Sequence, residues 1–156
     1  MSYAFMTISD LKLRMQMAIN TLYARDSKLF SLEASEWALA HRLAVYLELE
    51  FPGWNIDCEY DKQGENADPK TNAATVGTTE RTRPDIILHH RGELAKEHNL
   101  LVVELKKAED PTDWRKVKEF TARPEGKRTF QYQYGLALSF LPLLSIRWYE
   151  DGAEKD

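Results

Sequence analysis

Two short apolar runs, Ile86-Ile87-Leu88 and Leu100-Leu101-Val102-Val103, are separated by a polar link from Arg91 to Asn99. Neither run alternates with polar residues, so as strands they have no face to offer to water. Strands buried on both faces need cover on both sides of their sheet, which points to an α/β chain. The link is short enough for an antiparallel pair, one strand from Pro84 to His90 and the other from Leu100 to Leu105. Residues near the start of the first strand then lie opposite residues near the end of the second. Asp85 and Glu104 are therefore expected to meet at one open end of the sheet. Alternation along the strand puts Glu104 and Lys106 on one face and Leu105 on the other.

The rest of the chain supplies the cover. Ser9 to Ala24 reads as an amphipathic helix with Leu11, Met15, Ala18 and Leu22 on one stripe, capped by Ser9 or Asp10. A second helix is expected from about Leu32 to Glu50, its stripe formed by Leu32, Glu36, Leu39, Ala40, Leu43, Tyr46 and Leu47. Glu36 is the odd member, an acid at the edge of an apolar face. Phe51-Pro52-Gly53 stops this helix, and Trp54 to Tyr60 alternates as a strand. Asp61 to Thr82 is polar and reads as a long loop. Pro111-Thr112-Asp113 opens a further helix with Trp114, Val117 and Phe120 facing inward, and Arg123 to Gly126 ends it. Phe130 to Leu141 and Ser145 to Tyr149 are the last strands, and Asp151-Gly152 with the charged tail is expected to fray. The expected architecture is α/β, with a mixed central β-sheet flanked by helices. Residues 1–30 form an N-terminal helical extension on the core, 31–150 the core, and 151–156 a frayed tail.

Bulk properties narrow the function. A chain of 156 residues suits one ordinary domain with a real core. The net charge of -4 excludes a strongly basic nucleic-acid footprint over the whole surface but not a local patch. Cys58 is the single cysteine, which excludes an intramolecular disulfide and a multi-cysteine zinc site. No apolar run is long enough to span a membrane, and the N-terminal stretch lacks the pattern of a secretory signal, so a cytoplasmic location is expected.

An acid two residues before a lysine means little alone. Asp10/Lys12, Asp26/Lys28, Asp68/Lys70 and Glu125/Lys127 share the spacing in helix ends or loops, and only Glu104/Lys106 terminates a buried apolar strand. An ion pair at a sheet edge explains Glu104 with Lys106, but not the approach of Asp85 and the inward acid Glu36. Several acids against one lysine are costly without a further cation. The donors are hard oxygens with no imidazole or thiolate among them, which favours Mg2+ or Mn2+ over zinc. His89 and His90 are adjacent and point to opposite strand faces, so each reads as a strand-end polar residue. Gln133 is a further candidate, reaching the site from a neighbouring strand. Lys107, Arg115, Lys116 and Lys118 beside Trp114 read either as a solvated helix face or as a phosphate contact, and Arg81 and Arg83 share that ambiguity.

The order of Glu36 in a helix, then Pro84-Asp85, then Glu104-Leu105-Lys106 resembles the PD-(D/E)xK restriction-endonuclease-like nucleases. The stretches His41 to Glu48, Asp57 to Tyr60, Arg83 to Ile87, His90 to Gly92 and Val103 to Lys107 are similar to small stand-alone bacterial members, and the resemblance covers about residues 32 to 149. It implies a restriction-endonuclease-like core and Mg2+-dependent hydrolysis of phosphodiester bonds in DNA. Asp85, Glu104 and the Leu105 backbone carbonyl would hold the metal, Lys106 would position the attacking water, and Glu36 would complete the acidic set. A homodimer would bring two such sites to the two strands of a duplex. The alternative is a catalytically inactive module of the same fold that binds nucleic acid or a protein partner.

Overall fold

The computed structural model describes residues 6–60, 62–63, 68–69, 83–108, 114–126 and 130–155. It contains two compact units, one up to Trp54 and one from Asn55 onward. The sequence reading had set its boundary near residue 30.

The first unit is helical: α1 (Ile8–Asp26), α2 (Lys28–Ser31) and α3 (Glu36–Glu50), with α1 packed on α3. The expected α1 stripe is its buried face, where Leu11, Met15, Ala18 and Leu22 are joined by Ile19. The cap is Thr7 rather than Ser9 or Asp10. Its hydroxyl oxygen accepts from the Asp10 N–H at 3.2 Å, and Asp10 falls in the first turn, where an acid suits the helix dipole. Helix α3 starts four residues later than expected because Ser35 caps it, accepting from the Ala38 N–H at 3.2 Å. Leu32 therefore lies outside the stripe and is 74% exposed. Arg42 clasps α3 to the end of α1. Its Nε–H donates to Asp26 Oδ2 at 3.1 Å and its Nη2–H to the Tyr46 hydroxyl at 2.8 Å, while that hydroxyl donates to Asp26.

The second unit carries β1 (Asn55–Cys58), β2 (Lys62–Gln63), β3 (Asp68–Pro69), β4 (Ile86–His89), β5 (Asn99–Ala108), α4 (Arg115–Thr121), β6 (Tyr134–Leu141), β7 (Ser145–Glu150) and β8 (Ala153–Lys155). Six strands form one mixed sheet in the order β1-β4-β5-β6-β7-β8. The expected hairpin is present, with β4 antiparallel to β5 and Ile86 opposite Val103. β5 and β6 run parallel, and α4 lies between them in sequence as such a crossover requires. β4 is buried along its whole length, as its unbroken apolar run demanded. Strand β6 begins at Tyr134 rather than Phe130. Most of the expected loop from Asp61 to Thr82 lies outside the described residues, and within it β2 and β3 pair as a two-stranded sheet. The expected helix start at Pro111-Thr112-Asp113 also lies outside them. No helix among the described residues is long and apolar enough to cross a membrane.

Helix α4 packs on β5, β6 and β7 through Val117, Phe120 and Thr121. It lies tight over Gly135, where an added Cβ would stand 2.6 Å from Val117 Cγ1. Residues 151–155 do not fray, which corrects the sequence reading, and Asp156 lies outside the described residues. Asp151 and Gly152 both take positive φ and form the two-residue turn that pairs Glu150 with Ala153. Asp-Gly is among the strongest short hairpin signals, because it tolerates the left-handed backbone that matches strand twist. The Gly152 N–H also donates to Thr121 Oγ1 at 3.2 Å, tying the turn to the end of α4. Gly152→Ala would force a Cβ to 2.9 Å from Ala122 Cβ at φ +78. Chemical denaturation of that variant is expected to show a loss of about 2–4 kcal/mol.

Candidate active site

The β4–β5 register, extended one residue beyond Ile86 and Val103, brings Asp85 to Glu104. Asp85 Oδ2 accepts the Leu105 N–H at 2.9 Å, so the start of β4 is stapled to the far part of β5. Glu104 is only 9% exposed, the last acid before β5 emerges toward half-buried Lys106. Its pKa is raised well above the ordinary 4.5. Burial is the largest cause, followed by the charge of Asp85 and a hydrogen bond between the two carboxyl groups. The Lys116 ammonium and a backbone hydrogen bond pull it the other way. Two carboxyl groups in contact and out of water share a proton or a cation.

Lys116 was legible only as part of a diffuse basic group. The structure singles it out as a cation acting on Glu104, because α4 packs across the face of the sheet from which Glu104 rises. Val102, two residues before Glu104 and on its face, packs against Phe120 of α4. Glu36 stands half-buried in the first turn of α3, in the first unit, whereas Asp85, Glu104, Leu105 and Lys106 all belong to the second. Gln133 is not at the site. Its N–H donates to the Asn99 carbonyl at 2.9 Å and its side chain to the Glu97 carbonyl at 3.3 Å, at the opposite end of β5. Arg83 is exposed, and Arg81 lies outside the described residues.

Among the described residues no group of three or more His, Cys, Asp or Glu gathers as metal ligands. What the geometry offers is a pair of carboxylates, Asp85 and Glu104, which could hold a hydrated Mg2+ but could not form a closed protein cage. Magnesium keeps several waters and binds through one or two carboxylates.

The sequence reading missed a second polar cluster. Buried His89 holds Nε2 2.7 Å from Asp57 Oδ2, and Arg91 donates from Nε to the same oxygen at 2.8 Å and from Nη2 to Oδ1 at 2.5 Å. An ionised carboxylate only accepts, so His89 Nε2 carries the proton. Burial pushes the Asp57 carboxyl up, but the hydrogen bonds from His89 and Arg91 and their charges hold it well below its ordinary 3.8. Asp57 faces His89 because β1 pairs with β4, and that register has no local signature in the chain. Asp57→Ala is expected to cost about 1–2 kcal/mol at neutral pH, because it takes the acceptor from the buried His89 N–H, whereas the pair with exposed Arg91 contributes little. The contribution of Asp57 is complete above its unfolded value and lost as pH falls through the depressed folded one. The stability gap between the two proteins should therefore close in acid, as pH-dependent urea melts would show.

The chain matches no protein-family model, no curated protein and no solved structure.

Proposed function

We propose that the protein is a Mg2+- or Mn2+-dependent nuclease of the PD-(D/E)xK type that hydrolyses phosphodiester bonds in DNA. The observation that carries this reading is the buried Glu104 carboxyl held against Asp85 at the end of a hairpin, two residues ahead of Lys106. Asp85 and Glu104, with the Leu105 carbonyl, would hold the divalent ion. When bound, that ion supplies charge neutralisation and polarises a phosphoryl oxygen. Asp85 is oriented by the Leu105 N–H, so its carboxylate is in place before any ligand arrives. Lys106 shares the face of Glu104 and is half-buried, which lets its ammonium orient a water toward phosphorus. Lys116 offsets negative charge at Glu104 and is the second cation available to a phosphate.

Incubation with plasmid, linear duplex, single-stranded DNA and RNA in Mg2+ or Mn2+ tests this reading. DNA should be cut, and chelation should stop the reaction. Failure to cut any of these substrates with either ion sinks it. An acid pair that shares a proton also needs no metal, which favours the second reading, an inactive binding module of the same fold. Calorimetric titration with Mn2+ separates them: heat of binding supports the enzyme, and its absence the module.

A further inference from the structure

Glu104 Oε1, Trp114 Nε1 and Ser139 Oγ are among the buried side-chain atoms of the second unit that have no hydrogen-bond partner among the described residues. Trp114 and Ser139 are 3% and 1% exposed. Leaving such a group unpaired costs about 1–3 kcal/mol, and native interiors seldom do so. The register explains how the three come together. In the parallel β5–β6 pair Glu104 lies beside Ala137 and Lys106 beside Ser139, so all four side chains rise from one face. Trp114 packs on Ala137 in a cluster with Val117 and Tyr149. Ala137, a member of the Trp114 cluster, is flanked by Glu104 on the next strand and by Ser139 two residues on. It contributes only a methyl group there. Diagonal neighbours on a sheet face lie about 7–8 Å apart, a span that a glutamate side chain and one water can bridge. The three atoms also complement one another: a carboxyl oxygen accepts, an indole N–H donates, and a hydroxyl does either. A buried water typically makes about three hydrogen bonds.

We propose that Glu104 Oε1, Trp114 Nε1 and Ser139 Oγ form a three-point cradle for one buried water, through which Ser139 and Trp114 act as positioning residues that hold the Glu104 carboxyl toward Asp85. The positioning role rests on the nuclease reading, whereas the cradle itself does not. Ser139→Ala deletes one hydrogen-bonding atom with little change of shape, whereas Trp114→Phe also removes part of a buried ring system and is read through kcat alone. If the cradle holds a water, Ser139→Ala melts about 2–4 °C lower. A high-resolution crystal structure then shows a water within hydrogen-bond reach of all three atoms. If the three atoms are merely unpaired, deleting the Ser139 hydroxyl relieves a burial cost, so the melting temperature of that variant stays or rises and no water is seen, which overturns the cradle. In the cleavage assay the positioning role predicts a roughly tenfold lower kcat at unchanged KM, and wild-type kcat in both variants overturns that role. A wild-type protein that cuts nothing removes the nuclease reading and the positioning role with it, while melting and crystallography still decide the cradle.

Discussion

Asp85→Asn and Lys106→Ala should each lower Mg2+-dependent DNA cleavage by about 10³-fold or more while the protein stays folded. That factor corresponds to roughly 4 kcal/mol of transition-state stabilisation, within the reach of one metal ligand or one ammonium in a water-poor site. Asparagine is the sharper replacement at 85. Its amide oxygen still accepts the Leu105 N–H, so the staple between β4 and β5 survives and only the charge is lost. Lys106 is half-buried at the emerging end of β5, so its truncation does not hollow the core. Lys116→Ala should weaken cleavage less, by about tenfold, because Lys116 acts on Glu104 from a neighbouring helix and its side chain is exposed. Wild-type cutting rates in both Asp85→Asn and Lys106→Ala would leave the proposed chemistry without its parts.

The second large effect needs no nucleic acid. A carboxyl whose folded pKa is raised binds its proton more tightly in the folded chain than in the unfolded one. Stability therefore falls as pH climbs from about 4.5 toward the raised value. Glu104→Gln removes that titration. The variant should be more stable than wild type at pH 8, by about 1–3 kcal/mol, and the difference should vanish below pH 4. Millimolar Mg2+ or Mn2+ should produce the same rescue in the wild-type protein, since an ion that binds only the folded state stabilises it by about 2.7 kcal/mol at a hundredfold excess over Kd. The ion should do little for Glu104→Gln or Asp85→Asn. Thermal melts across pH with and without the ion check all of this. A wild-type melting temperature that ignores both pH and divalent ion would show that the acid pair is neither strained nor a metal site.

Much of this was legible in the chain, and the limits have physical causes. The pairing of Asp85 with Glu104 followed from local facts: two unbroken apolar runs, a short polar link and the two-residue pleat. The inward positions Trp114, Val117 and Phe120 followed from helical spacing in the same way. Asp151-Gly152 was readable too but was taken for a fraying end, although its tolerance of positive φ makes it a hairpin turn. Other features depend on which strand lies beside which. Asp57 meets His89 only through the β1–β4 register, and Gln133 is carried to the far end of β5 by the parallel β5–β6 pairing.

Short-range physics along the chain dictates three helices, a buried hairpin, and an acid pair at the hairpin's open end with a lysine two residues on. Which distant groups lie near that pair is settled by long-range packing. It selected Lys116 from a run of similar cations, clustered Trp114 with Ala137, the cross-strand neighbour of Glu104, and excluded Gln133. The reason is that periodicity tells a side chain which way to point, whereas its neighbour across a sheet or under a helix is chosen by register and packing, which depend on contacts between residues far apart in the chain.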